Sequence, residues 1–416
     1  MQRSSPQMSA TALPRSLAKR GRGLLFATLM LGQMSQTIAF TAFVAVLPQM
    51  AHDWGPRGPF LAQMTMALGS LGMMCGSFVS GWVLERTGTR ACLIGALAAF
   101  GLSGAEGVVS TNATAMLIAR FVNGLAAAVM ATTCLWGITA EYKGAARAKV
   151  LGISAALSNL TAFGATLLGG YLAQVEGWPV AFAQFPVFGL IGLVLAFISI
   201  EQIYPSREHN GALACPFFRR LLPFFLLAMF LFSVRFMSST QLPFVLDQNG
   251  IREAGRRAQL ISAVTMSATA SSFLYGALQQ RLTALGTFAA GLACMAVALA
   301  TVAVGVHFVS ALIGTLLLGL SNGILGPYVY HTVSERSDAG SRSRAIGMVG
   351  AFCFLGGFVN PIIATPVANV VGLRNLFLLV ALSMGITALA VGGASLRELL
   401  SSATDPKQRP REGPPN

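Results

Sequence analysis

Charge is what this chain has least of. Only 10% of its 416 residues are Asp, Glu, Lys or Arg, against roughly a quarter in soluble domains. With 54% hydrophobic residues, a soluble fold would lack the polar positions to make an outside, and that class is excluded. Histidine is nearly missing as well. His52, His209, His307 and His331 lie near predicted helix ends or in connections, and none has a partner at metal-ligand or triad spacing. The six cysteines (Cys75, Cys92, Cys134, Cys215, Cys294, Cys353) are scattered singly and read as small packing residues. No Gly-rich phosphate loop ending in Lys exists, which removes an ATP-driven step. The reading is therefore not an enzyme, with no catalytic residue, no metal and no cofactor.

What the chain has in abundance is long apolar runs. Twelve are long enough to cross a bilayer, which takes about 20 residues each: 23–47, 59–83, 91–110, 113–138, 149–174, 180–200, 221–246, 258–279, 285–306, 308–331, 344–371 and 375–396. The first is too long for a cleavable signal and is followed by no small-residue cleavage site. The net charge of +14 is distributed by side. With a cytoplasmic N-terminus, the tails and even-numbered connections hold 21 Lys and Arg and the opposite side five. That is the positive-inside pattern, so both termini are expected in the cytoplasm and nucleic acid is not a partner. The cluster Arg252, Arg256 and Arg257 on the outer side is the exception, and the sequence gives no reason for it.

Residues 1–22 and 397–416 are rich in polar, basic and proline residues and read as disordered cytoplasmic tails. Residues 201–220, with Pro205, Gly211 and Pro216, read as a cytoplasmic linker between an N-terminal bundle, 23–200, and a C-terminal bundle, 221–396. The two bundles look like copies. Leu47-Pro48 returns as Leu242-Pro243, Gly81 as Gly276, Arg86 as Arg281, Gly124 as Gly319, and Arg147-Ala-Lys149-Val-Leu-Gly152 as Arg342-Ser-Arg344-Ala-Ile-Gly347, always 195 residues on. In a membrane chain such a duplication builds two bundles around one central site.

Between the second and third runs lies Gly81-Trp-Val-Leu-Glu85-Arg86-Thr-Gly88-Thr-Arg90. This segment resembles the signature loop of the major facilitator superfamily, with Glu85 for the usual Asp and Thr89 for a base. Gly81 allows a close helix approach, and Gly88 supplies the positive φ of a tight turn. Glu85, Arg86 and Arg90 are expected to join the other bundle when the cytoplasmic ends close. The fourth run carries Arg120-Phe-Val-Asn123-Gly124, which looks like the family's second motif. The resemblance implies an all-α integral membrane fold of 12 transmembrane helices in two pseudo-symmetric six-helix bundles. It also implies a cavity lined by helices 1, 4, 7 and 10.

That places Arg120 and Arg235 at the cavity, with Gln33, Gln36, Thr37 and Thr41 on one face of helix 1, Asn123 on helix 4, and Ser321 and Asn322 on helix 10. A membrane-embedded charge is costly and marks function by default. Glu106 in helix 3 is about 4–5 Å from Arg120 in depth at about 1.5 Å per residue, so an ion pair that a proton could open is expected; the alternative places Glu106 in the headgroup layer. Two arginines and no other deep acid favour an anionic or neutral, hydrogen-bonding substrate over a lipophilic cation. The motifs most resemble the drug and metabolite proton-antiporter branch, although Ala165-Thr166 stand where that branch has Gly-Pro. The expected function is secondary active transport of a small organic molecule by alternating access, as proton-coupled efflux by a monomer. The alternatives are uptake of an organic anion, by proton symport or anion exchange, and a non-transporting membrane ligand sensor. Arginine far outnumbers lysine, which points to a GC-rich bacterium and to its inner membrane.

Overall fold

The computed structural model describes residues 15–110, 112–199, 215–337 and 342–404. Among them every regular element is helical. Twelve long helices are numbered here in chain order: α1 (Arg15–Thr41), α2 (58–87), α3 (89–109), α4 (Ala113–Glu141), α5 (Gly144–Glu176), α6 (Gln184–Ser199), α7 (Cys215–Thr240), α8 (Ala254–Arg281), α9 (Ala284–Val304), α10 (Phe308–Glu335), α11 (Arg342–Val371) and α12 (Leu373–Thr404). Helices α2 and α3 run together as one 52-residue element, broken only at Gly88, whose φ of 74° no β-carbon would tolerate cheaply. Ten segments are long and apolar enough to cross a membrane by length and composition. One of the ten, Gly55–Val109, contains both α2 and α3. The remaining long helix, α8, is not among the ten, and serines and threonines interrupt its apolar residues. Leu102, Val109, Phe273, Val370 and Leu389 are each at least 77% exposed, as side chains facing hydrocarbon are.

Several boundaries differ from the sequence expectation. Helix α1 stops at Thr41, and a 3-10 turn (Val44–Val46) leads into the short helix Leu47–Asp53, with Pro48 in its first turn. Helix also occupies 15–22 and 397–404 in the two expected tails, and α7 starts at Cys215 inside the expected linker. Apolar character ends where the bilayer ends, but backbone hydrogen bonding continues past it. The remaining parts of those segments, 1–14, 201–214 and 405–416, lie outside the described residues.

The repeat in the sequence is a repeat in the backbone. Val109 and Val304 end α3 and α9, Ala113 and Phe308 begin α4 and α10, and Glu176 and Val371 end α5 and α11, each pair 195 apart. The short helices Leu47–Asp53 and Leu242–Gln248 correspond too. So do two pairs of left-handed glycines, Gly55 with Gly250 (φ 71° and 90°) and Gly177 with Gly372 (φ 90° and 86°). Helix packing follows suit. A β-carbon on Gly124 would lie 2.1 Å from the carbonyl oxygen of Gly69, and one on Gly319 would lie 2.2 Å from that of Val264. Residues 69 and 264 are again 195 apart, so α4 rests on α2 as α10 rests on α8.

The two halves touch at one end. There Gln63 of α2 accepts hydrogen bonds from Thr365 of α11 (2.8 Å) and Gln241 (3.1 Å). Across the pseudo-twofold axis, Ala258 of α8 packs so tightly on α5 that its Cβ would be 2.3 Å from a β-carbon on Gly170. Residues 63 and 258, like 170 and 365, are repeat equivalents. Deeper in, the rings of Phe40 and Phe236, one from each half, meet edge to face with centroids 5.3 Å apart. At the other end, two motif arginines bond within their own half: Arg86 stacks on Trp82 at 4.3 Å and Arg90 donates to the Phe197 carbonyl at 3.1 Å. The molecule is thus closed at the Gln63 end and parted towards the 81–90 loop.

Candidate substrate cavity

Between the halves lies a cavity of about 550 Å³, open to the outside of the molecule. Its size suits a small organic ligand. Four helices supply its polar groups at helical spacing: Gln36, Thr37 and Thr41 from α1, Arg235, Ser238 and Ser239 from α7, Thr265, Thr269 and Ser272 from α8, and Asn322 and Tyr330 from α10. Asn159 of α5 adds another carboxamide, and Phe40, Phe232, Phe236 and Phe354 form the apolar walls.

Arg235 is the one charged side chain among the described lining residues. It sits in the last three turns of α7, and its guanidinium stands 5.2 Å from the Phe232 ring. A β-carbon on Gly326 would be 3.7 Å from its Nη1, so the bare backbone of α10 leaves it room. The side chain is exposed and lines the cavity, so the surface it offers is cavity surface. No carboxylate pairs with it among the described ion pairs.

Of the residues expected at the cavity, the structure brings Gln36, Thr37, Thr41, Arg235 and Asn322 together there. It turns Gln33, Arg120, Asn123 and Ser321 away. Gln33 donates to the Ala131 carbonyl at 2.6 Å, and Ser321 is buried against Leu318 and Met295. Arg120 is the larger correction. It is 1% exposed and lies inside the first half, between the rings of Phe43 and Phe185 at 4.5 and 4.9 Å. Its Nη1 donates to Asn123 Oδ1 at 3.0 Å, its Nη2 donates to the Ala39 carbonyl, and Asn123 Nδ2 passes the chain on to the Phe100 carbonyl at 2.9 Å. The physical reason is the break after α1. A helix that stops at Thr41 leaves carbonyls unpaired, and three neighbouring helices cap them: Arg120 at Ala39, Thr166 at Thr41 (3.3 Å) and Gln184 at Ala42 (3.0 Å). A cation at a helix C-terminus is also favoured by the helix dipole.

The expected ion pair is likewise missing: Glu106 is no partner of Arg120 among the described ion pairs. The carboxylate is half-buried near the end of α3, while the guanidinium points across the bundle to α1. The cavity therefore carries one positive charge instead of two.

The family model described as the Major Facilitator Superfamily matches residues 29–361. The chain belongs to the major facilitator superfamily. Among curated relatives, a multidrug resistance protein B homolog from Mycobacterium tuberculosis is 31% identical over 132 residues, 32% of this chain and 24% of that protein. The 4-hydroxybenzoate transporter PcaK of Pseudomonas aeruginosa is 30% identical over 170 residues, 39% of this chain and 36% of that one. The chain thus spans about a quarter to a third of the length of these relatives. Among solved structures, a mutant of the peptide transporter POT superposes with a TM-score of 0.74 at 13% identity, covering 90% of this chain and 94% of that one. The nucleoside transporter NupG gives 0.71 at 11% identity, covering 88% and 98%. These likenesses carry the fold alone.

Within this superfamily carrier, α8 and α5 contribute cavity residues that the sequence reading left out, namely Asn159, Thr265, Thr269 and Ser272. A signal for α8 was available. Thr265, Thr269 and Ser272 stand at i, i+4 and i+7, one polar stripe on a helix that must otherwise face lipid or protein.

Proposed function

We propose that this carrier moves a small organic anion with a flat, apolar body, held in the central cavity by Arg235. The observation that carries the reading is the charge of the lining: one exposed guanidinium and no carboxylate among the described lining residues. A charge kept in a membrane interior without a partner is expensive unless a counter-ion visits it. Guanidinium recognises carboxylate through two parallel hydrogen bonds. The phenylalanine walls and Tyr330 suit an aromatic or similarly flat body, with Gln36, Asn159 and Asn322 available to its polar substituents. The match to a 4-hydroxybenzoate transporter supports the same cargo class.

The side-dependent distribution of Lys and Arg supports an orientation with the closed end outward and both termini in the cytoplasm, and the excess of Arg over Lys supports a bacterial inner membrane. The cavity is then open to the cytoplasm, and transport proceeds by rocking the six-helix halves about it. Coupling to protons belongs to this proposal, with the titrating group elsewhere than the cavity lining. A second reading, proton-coupled drug efflux, is favoured by the likeness to a multidrug resistance protein homolog and by the Gly81–Arg90 loop.

The test is flux in proteoliposomes under an imposed pH gradient, with labelled aromatic acids beside cationic dyes. Arg235→Gln should raise the KM for the acid about 10- to 100-fold, the scale of one charge-assisted hydrogen bond of about 1.5–3 kcal/mol. Dye movement indifferent to Arg235 would overturn the anion reading in favour of drug efflux. Saturable binding of an acid without flux would mark a sensor.

A further inference from the structure

Arg257 is the one member of the outer arginine cluster that the fold buries, with 0% of its surface exposed. Its partners divide between the two halves of the molecule. Nη1 donates to Asp247 Oδ1 at 2.6 Å, to the Arg252 carbonyl at 2.8 Å and to the Ile251 carbonyl at 3.4 Å, all in the connection between α7 and α8. Nε donates at 3.0 Å to the carbonyl of Ala45, in the other half. Ala45 lies in the 3-10 turn after α1, where the helical ladder is interrupted and carbonyls look for outside donors. By contrast Arg256 is exposed and pairs with Glu253 within its own helix end, at 2.9 Å. The repeat equivalent of Arg257 is Ala62, so the bond has no counterpart across the pseudo-twofold axis.

From this geometry we infer that Arg257 is a positioning residue of the transport cycle, a latch that holds the closed end shut through Ala45. Every bond of the guanidinium but one is to its own half, so separation of the halves breaks the Nε–Ala45 bond and leaves the ion pair with Asp247 intact. The released groups then meet water, which replaces the lost hydrogen bond at small net cost. A reversible gate needs that balance, because two states that interconvert during turnover must differ by only a few kcal/mol. The Gln63 contacts to Thr365 and Gln241 at the α2–α11 side of the same end are of the same polar, water-replaceable kind. The inference rests on alternating access alone and is independent of the cargo.

The test uses two reporter cysteines, each in the full-length purified protein in nanodiscs and labelled with a hydrophilic maleimide. Val46→Cys reports the closed end, where Val46 is 0% exposed. Ser272→Cys reports the cavity, which it lines. The same protein without the reporter supplies the background. Arg257→Gln should speed labelling at Val46→Cys about tenfold or more and slow labelling at Ser272→Cys, the size of effect a charge-assisted bond carries. Arg257→Lys keeps the charge beside Asp247 but lacks the planar fork that reaches Ala45 as well. It should shift both reporters in the same opposed directions, and it is the deciding variant if Arg257→Gln does not fold. Opposed shifts support the latch. Reporters that speed up together would show general loosening and overturn it, and so would reporters that do not change.

Discussion

Removing Arg120 should loosen the first half of the molecule and leave the cargo site intact. Truncation to Ala strips donors from the Ala39 carbonyl and from Asn123 Oδ1, both buried, at about 1–3 kcal/mol for each orphaned group. It also removes two cation–π contacts, with Phe43 and Phe185, each of about 0.5–2 kcal/mol. Part of this is offset, because the wild-type guanidinium is itself desolvated and its Nε is buried without a partner. A net loss of about 2–4 kcal/mol remains, which for a six-helix half corresponds to a fall in Tm of about 5–15 °C. The assay is thermal unfolding in detergent, with and without a saturating aromatic acid. Arg120→Ala should melt early and still gain stability from the acid. Arg235→Ala should melt within a few degrees of wild type and gain nothing. An Arg120→Ala protein with wild-type Tm and no response to the acid would refute the reasoning, because it would mean that Arg120 reaches the cavity after all.

Two further outcomes follow from the packing. Gly124→Ala and Gly319→Ala each put a β-carbon about 2 Å from a backbone carbonyl, so each should destabilise by about 1–3 kcal/mol of overpacking; thermal unfolding in which only one of the pair is affected would break the equivalence of the halves. Glu106→Gln should leave both the Tm and the pH profile of transport unchanged, since Glu106 holds no bond to Arg120; a displaced pH profile would show that the pair forms in another state of the cycle.

The helices, their number and their duplication were legible because they rest on bulk properties: apolar length, the spacing of landmarks and the side of each positive charge. The turn at Gly88 was legible for a local reason, since a glycine between two long helices has one common use. The site was half legible. Polar spacing on α1 put Gln36, Thr37 and Thr41 on one face, and in the structure they line the cavity with Arg235 and Asn322. Arg120 went astray because a buried arginine announces that it needs partners without saying which. Its partners are backbone carbonyls freed by the end of α1, and a sequence does not display a helix's unpaired carbonyls. The same blindness hid Arg257, whose acceptor on the other half is again a main-chain oxygen. Thr265, Thr269 and Ser272 were missed for a different reason: in a long apolar chain, hydroxyls pass as tolerated helix residues that bond their own backbone.

The polarity of α8 has a consequence for how the chain enters the bilayer. Each span is offered to lipid before its neighbours are in place, and the hydroxyl stripe that later wets the cavity first has to face hydrocarbon. Thr269 relieves part of that within its own helix by bonding the Thr265 carbonyl, whereas Ser267 bonds the carbonyl of Leu316. The Leu316 carbonyl belongs to α10, which has not been synthesised when α8 emerges. A helix that lends hydroxyls to the cavity is therefore less apolar while it stands alone, and the bond from Ser267 forms only once α10 has arrived behind it.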